Sequence, residues 1–83
     1  MVEQIHFNVE IPSIGQTVQF TVPSNLTVKD CIQLMVNLVE KEYVGVHYSK
    51  LPILVDVTTG AQINDSYSIE DLPLNEGNKL LLI

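Results

Sequence analysis

Cys31 and the two histidines are the side chains best suited to nucleophilic or metal chemistry, and their spacing argues against both. A catalytic cysteine needs a base within reach, and metal ligation needs histidines and cysteines at short fixed intervals. Cys31 instead lies among Val28, Ile32, Met35 and Val39 in a helical apolar repeat, which is the setting of an inert core thiol. His6 and His47 stand far apart, with no His-x-x-x-His or Cys partner spacing, so each is expected to be an ordinary surface histidine. Thr58-Thr59-Gly60-Ala61 has the outline of an aspartic-protease Asp-Thr-Gly, but Thr58 occupies the position of the acid, and a turn is the better reading. Gly15, Gly45, Gly60 and Gly77 occur singly, so there is no phosphate-cradling loop, and no serine sits in a nucleophile-elbow context. The acids are scattered, with no pair marked out as general acid and base. The chain is expected to be non-catalytic, without metal or cofactor.

The elements that hold these residues follow from periodicity. Ile5, Phe7, Val9 and Ile11 alternate with Gln4, His6, Asn8 and Glu10, the pattern of a half-buried strand. Pro12-Ser13-Ile14-Gly15 breaks it, and Val18, Phe20 and Val22 then alternate with Thr17, Gln19 and Thr21, which predicts an antiparallel hairpin. After Pro23-Ser24-Asn25, Thr27 is placed to cap a helix, with Asp30 three residues on. Val28, Cys31, Ile32, Leu34, Met35, Val36, Leu38 and Val39 fill a broad apolar arc, and Glu42 would intrude on it, so the helix is expected to end near Lys41. Leu34 and Val36 lie on the arc's margins, to be covered by later loops or left partly exposed.

A loop is expected over Tyr43–Lys50, then a strand over Leu51–Val57 with Ile53, Val55 and Val57 on one face and Leu54 and Asp56 on the other. Thr58-Thr59-Gly60 is a turn, Ala61-Gln62-Ile63 a short edge strand, and Ser68–Leu72 a brief helical turn stopped by Pro73. Leu74–Asn78 turns the chain into a last strand, where Leu80, Leu81, Leu82 and Ile83 are apolar at both parities, as in a strand central to a sheet. One helix across a mixed four- to five-stranded sheet is an α+β layer arrangement, in a single domain over residues 1–83.

Composition bounds the function classes. A chain of 83 residues buries only about 60–65% of the surface that its unfolded form exposes, and nearly half of these residues are hydrophobic, enough for one core. Ten carboxylates oppose four cations, all lysine, for a net charge of −6. With no basic cluster, nucleic acid is not expected as a partner. The apolar runs are far shorter than the ~20 residues of a membrane span, so direct membrane insertion is not expected either. A lone cysteine excludes an internal disulfide, and Met1-Val2-Glu3-Gln4 has no signal-peptide character. The glycosylation-like Asn25-Leu26-Thr27 and Asn64-Asp65-Ser66 are therefore read as coincidence, and the location expected is cytoplasmic.

The hairpin, the Thr27-Val28-Lys29-Asp30 helix start, the Gly60 turn, the Ser68–Leu72 helical turn and the Asn75-Glu76-Gly77-Asn78-Lys79-Leu80 approach together resemble the ubiquitin-like β-grasp family. Within it the chain looks most like the bacterial YukD/EsaB group, through the aliphatic helix face and the Gly-x-x-Leu-x-Leu strand at Gly77, Leu80 and Leu82. That resemblance implies a protein–protein interaction module, a cytosolic accessory of type VII (WXG100) secretion that docks a secretion-system component. The sequence departs from ubiquitin and the sulfur carriers by ending at Ile83 and not in Gly-Gly, so conjugation is not expected. A modifier or sulfur carrier made as a longer precursor, and a small β-grasp regulatory subunit of an enzyme complex, are the alternatives. By the same resemblance the open face of the sheet is the docking surface, with Leu54, Asp56, Leu81 and Ile83 on it. Oligomeric state is left open.

Overall fold

A computed structural model describes residues 3–72 and 79–83. The expected stop at Pro73 and turn over Leu74–Asn78, part of the resemblance, lie outside the described residues, as do Met1 and Val2.

Strands β1 (Gln4–Ile11) and β2 (Gln16–Pro23) form the hairpin that the alternation predicts, with Phe7 opposite Phe20 and Val9 opposite Val18. Helix α1 (Val28–Glu42) follows, then β3 (Leu54–Asp56), a 3-10 turn (Ile69–Asp71) and β4 (Lys79–Leu82). The sheet order is β2-β1-β4-β3, with β4 parallel to β1 and antiparallel to β3. The last strand is thus central, and the sheet is mixed and four-stranded. Ala61–Ile63 contributes one bridge, Val55 to Gln62, where a fifth strand would lie.

The helix begins where the side chains satisfy its first donors. Thr27 Oγ1 accepts from the Asp30 N–H at 3.2 Å, and the carbonyls of Tyr67 and Asp65 take the Val28 and Lys29 N–H groups at 2.8 and 3.0 Å. The chain just before the 3-10 turn therefore closes the helix N-terminus, and Ile69 enters the core beside it. Ser68 caps that turn by position only, since its side chain makes no capping bond. At the other end the helix runs one residue past Lys41. Glu42 is accommodated because that corner of the helix faces an open groove, and Leu38, placed in the apolar arc by sequence, is 48% exposed there. Val28, Cys31, Ile32, Met35 and Val39 are the helix residues that pack on the sheet; Leu34 is exposed and Val36 half-buried.

Under the helix lie Phe7, Val9, Ile11, Phe20, Val22, Leu54, Leu80 and Leu82, one continuous core. Leu54 is 1% exposed, so it belongs to this core and not to the open face. The phase of β3 is opposite to the one expected from its composition.

Candidate functional site

A β-ladder admits no freedom of phase once one strand is fixed. Leu80 pairs with Val9 of β1, whose side chain lies under the helix, so Leu80 and Leu82 face inward and Leu81 faces out. Leu54 is opposite Leu82, Val55 opposite Leu81 and Asp56 opposite Leu80. Backbone bonds carry the same register beyond the strand: Ile53 and Ile83 exchange two, at 3.1 and 3.0 Å, and Val57 N–H donates to the Lys79 carbonyl at 3.1 Å. Ile53, Val55 and Val57 therefore stand on the open face with Leu81 and Ile83.

Two of the four residues expected on that face are thus brought together there, Leu81 and Ile83. Leu54 and Asp56 share a parity, as the sequence indicated, but it is the helix-side parity. Asp56 sits at the end of the strand, where Oδ1 accepts from the Thr58 N–H at 2.9 Å and its carbonyl accepts from Gly60 at 2.7 Å. It shapes the turn, and Gly60 supplies the positive φ of 74° that the turn requires. Sequence reading missed Ile53, Val55 and Val57 because three aliphatics in one phase look like a core face. The signal able to correct this was the pairing itself: two strands with aliphatic residues at both parities have their phase set by each other.

The resulting surface is divided. Over β3 and β4 it is aliphatic, with Ile53 38%, Val57 44% and Ile83 53% exposed and Val55 and Leu81 half-buried between them. Over β1 and β2 it is polar, with His6, Asn8 and Glu10 beside Thr17, Gln19 and Thr21. His6 Nδ1 and Thr21 Oγ1 lie 2.8 Å apart across that pair of strands. Glu10 is opposite Leu81 and Asn8 opposite Lys79, so β4 is the boundary between the halves.

Cys31 is fully buried; burial, and then the neighbouring Asp30 charge, push its thiol from the usual 9.0 up to about 11. Such a thiol is a poor nucleophile at neutral pH. His47 Nδ1 lies 3.1 Å from Glu40 Oε2, which also accepts from the Tyr48 N–H at 2.9 Å, so the pair fastens the post-helix loop. The Tyr48 hydroxyl meets Ser13 Oγ at 3.2 Å and ties that loop to the hairpin turn. Among the described residues no group of three or more His, Cys, Asp or Glu could hold a metal ion, and no helix is long and apolar enough to cross a membrane.

Solved structures share this architecture over nearly the whole chain. A chain of the toluene 4-monooxygenase HD complex with the inhibitor 4-bromobenzoate superposes with a TM-score of 0.81 at 8% identity, covering 96% of each chain. A chain from a structure described as molecular mimicry of SUMO that promotes DNA repair superposes with a TM-score of 0.78 at 14% identity, covering 100% of this chain and 94% of that one. At these identities the likeness establishes the fold, an α+β sheet of the ubiquitin-like β-grasp kind, and no more. No family model and no curated protein matches the chain.

Proposed function

We propose that this chain is a ubiquitin-like interaction module without catalytic chemistry, which docks a protein partner through the aliphatic half of its open sheet face. The observation that carries this reading is the continuity of Ile53, Val55, Val57, Leu81 and Ile83 across two paired strands, beside a polar half on the same sheet. An exposed apolar patch with a polar border is the usual form of a protein-binding surface. The acidic composition and the resemblance to the YukD/EsaB group support assigning the partner to a type VII (WXG100) secretion system, with the module as its cytosolic accessory.

Ile83→Asp and Val57→Asp test this, because both side chains are substantially exposed and their loss leaves the core intact. Affinity capture from cells that make the protein should enrich a WXG100 secretion component with the wild type. Each variant should lose at least about tenfold of it while melting within a few degrees of wild type. Normal capture by both folded variants would remove the open face from consideration.

A second reading has its own support: the whole-length likeness to a chain of the toluene 4-monooxygenase HD complex. On that reading the chain is a small non-catalytic subunit of an enzyme complex. Enrichment of enzyme subunits in place of secretion components would select it.

A further inference from the structure

The two edges of the sheet are built differently. The β3 edge is three residues long and is covered by the Val55–Gln62 bridge. The β2 edge runs over Gln16–Pro23, pairs among the described residues only with β1, and carries no charged residue. Long edge strands are normally protected by charge, proline or a covering segment, because their unpaired backbone groups recruit another strand.

The backbone groups that β2 offers can be identified. The Ser24 N–H donates to the Glu3 carbonyl at 2.8 Å, one step beyond the β1–β2 ladder. Hydrogen-bonded pairs in an antiparallel ladder recur at every second residue, so Ile5–Val22, Phe7–Phe20 and Val9–Val18 are the bonded pairs. The N–H and C=O groups of Thr17, Gln19 and Thr21 consequently point away from the sheet. Pro23, which has no N–H to offer, ends this row. Along the same edge, on the helix side, runs a groove of about 460 Å³ between β2 and the C-terminal half of α1, lined by Val18, Phe20, Leu38, Val39 and Tyr43 with Gln19 and Glu42.

We infer that this edge pairs with a second copy of itself, β2 to β2, about a two-fold axis at Gln19. The argument is self-complementarity. A strand added here needs apolar side chains toward the groove and polar ones toward the open face, in alternation, and β2 has that pattern in Thr17-Val18-Gln19-Phe20-Thr21. Antiparallel pairing centred on Gln19 sets Gln19 against its mate and Thr17 against Thr21, so that the outward backbone groups of both copies bond each other. Val18 of each copy then meets Phe20 of the other over the groove, an aromatic–β-branched pair. No charge opposes a like charge across the strands themselves, and the exposed Leu38 gains cover. The axis stands perpendicular to the sheet, which gives a closed isologous dimer with both helices on one side. The aliphatic half over β3 and β4 lies at the far edges and stays free, so the dimer presents it twice.

Sedimentation of the wild type from about 1 µM to about 1 mM, the range of weak self-association, should show a monomer–dimer equilibrium. Added salt should shift it toward dimer, since each copy carries a net charge of −6. Gln19→Pro removes an outward N–H that β1 does not use, so the fold should survive and the dimer should be lost. Thr17→Lys with Thr21→Lys opposes lysine to lysine at both outer pairs and should also abolish it, although the copies then repel less overall.

The register has a separate measurement. Gln19→Cys places two thiols at the axis with Cα atoms about 5.5 Å apart, within disulfide range. Thr17→Cys places them about 14 Å apart. Under mild oxidation Gln19→Cys should cross-link at least about tenfold faster than Thr17→Cys, with Cys31 buried and silent. A wild type monomeric at about 1 mM, or equal cross-linking of the two variants, would overturn self-pairing and leave the edge to a strand from another protein.

Discussion

Over β1 and β2 the open face of the sheet is made of His6, Asn8, Thr17, Gln19 and Thr21, whereas over β3 and β4 it is made of aliphatic side chains. Both halves lie on the same core, and both are strands of ordinary β-forming composition. The difference is in what alternation does: β1 and β2 have a polar phase to give to water, while β3 and β4 carry aliphatic side chains in both phases, with Asp56 and Lys79 only at strand ends. A sheet that needs only one apolar face for its core has, at β3 and β4, a second one with no covering element among the described residues. This is why the proposed binding role is assigned to one half of the face and not to the other.

The comparison breaks first if the two faces of β3 are confused. Leu54→Ala should cost about 3 kcal/mol of stability, as a buried leucine does, while Ile53→Ala next to it should cost under about 1 kcal/mol. Chemical denaturation of both variants measures this. Equal losses would mean that the phase of β3 is not the one described.

The next effect is on docking. Ile83→Asp should weaken capture of the partner by at least about tenfold, and Asn8→Asp on the polar half by less than about twofold. Titration of the captured partner against both proteins reads the contrast directly. Similar losses would make the whole sheet face, or neither half, the surface.

The smallest effects lie beneath both halves, where the core is shared. Cys31 should resist alkylation at pH 8 equally in the wild type and in Ile83→Asp, reacting only on unfolding. Its folded pKa of about 11 stands above the unfolded 9.0, so the native state holds the proton longer. That contribution to stability is complete below about pH 9 and declines as pH rises through about 11. Stability rising over that window, or rapid labelling of the native protein, would contradict a buried thiol.

Much of this was legible in the chain, and unevenly so. The hairpin, the Thr27 cap and the buried Cys31 are local matters, carried by alternation, by one hydroxyl at the right distance from a free N–H, and by a helical repeat. The make-up of the open face was half legible. Leu81 and Ile83 could be placed because a central last strand must turn Leu80 and Leu82 toward the helix. Leu54 could not, since Leu51–Val57 offers three aliphatics in one phase and Leu54 in the other, and composition favoured the wrong one. Leu38 shows the same limit: its position on the helix arc is sequence, but its exposure depends on where β2 stops covering the helix.

The sequence by itself determined the periods of the elements, the order in which they occur, and a composition that supports one core. Period, however, carries no absolute phase. Only the tertiary structure decided that β4 lies between β1 and β3, and that Leu82 stands opposite Leu54. Pairing is non-local, and a slip of one residue would exchange every side chain of β3 between core and surface.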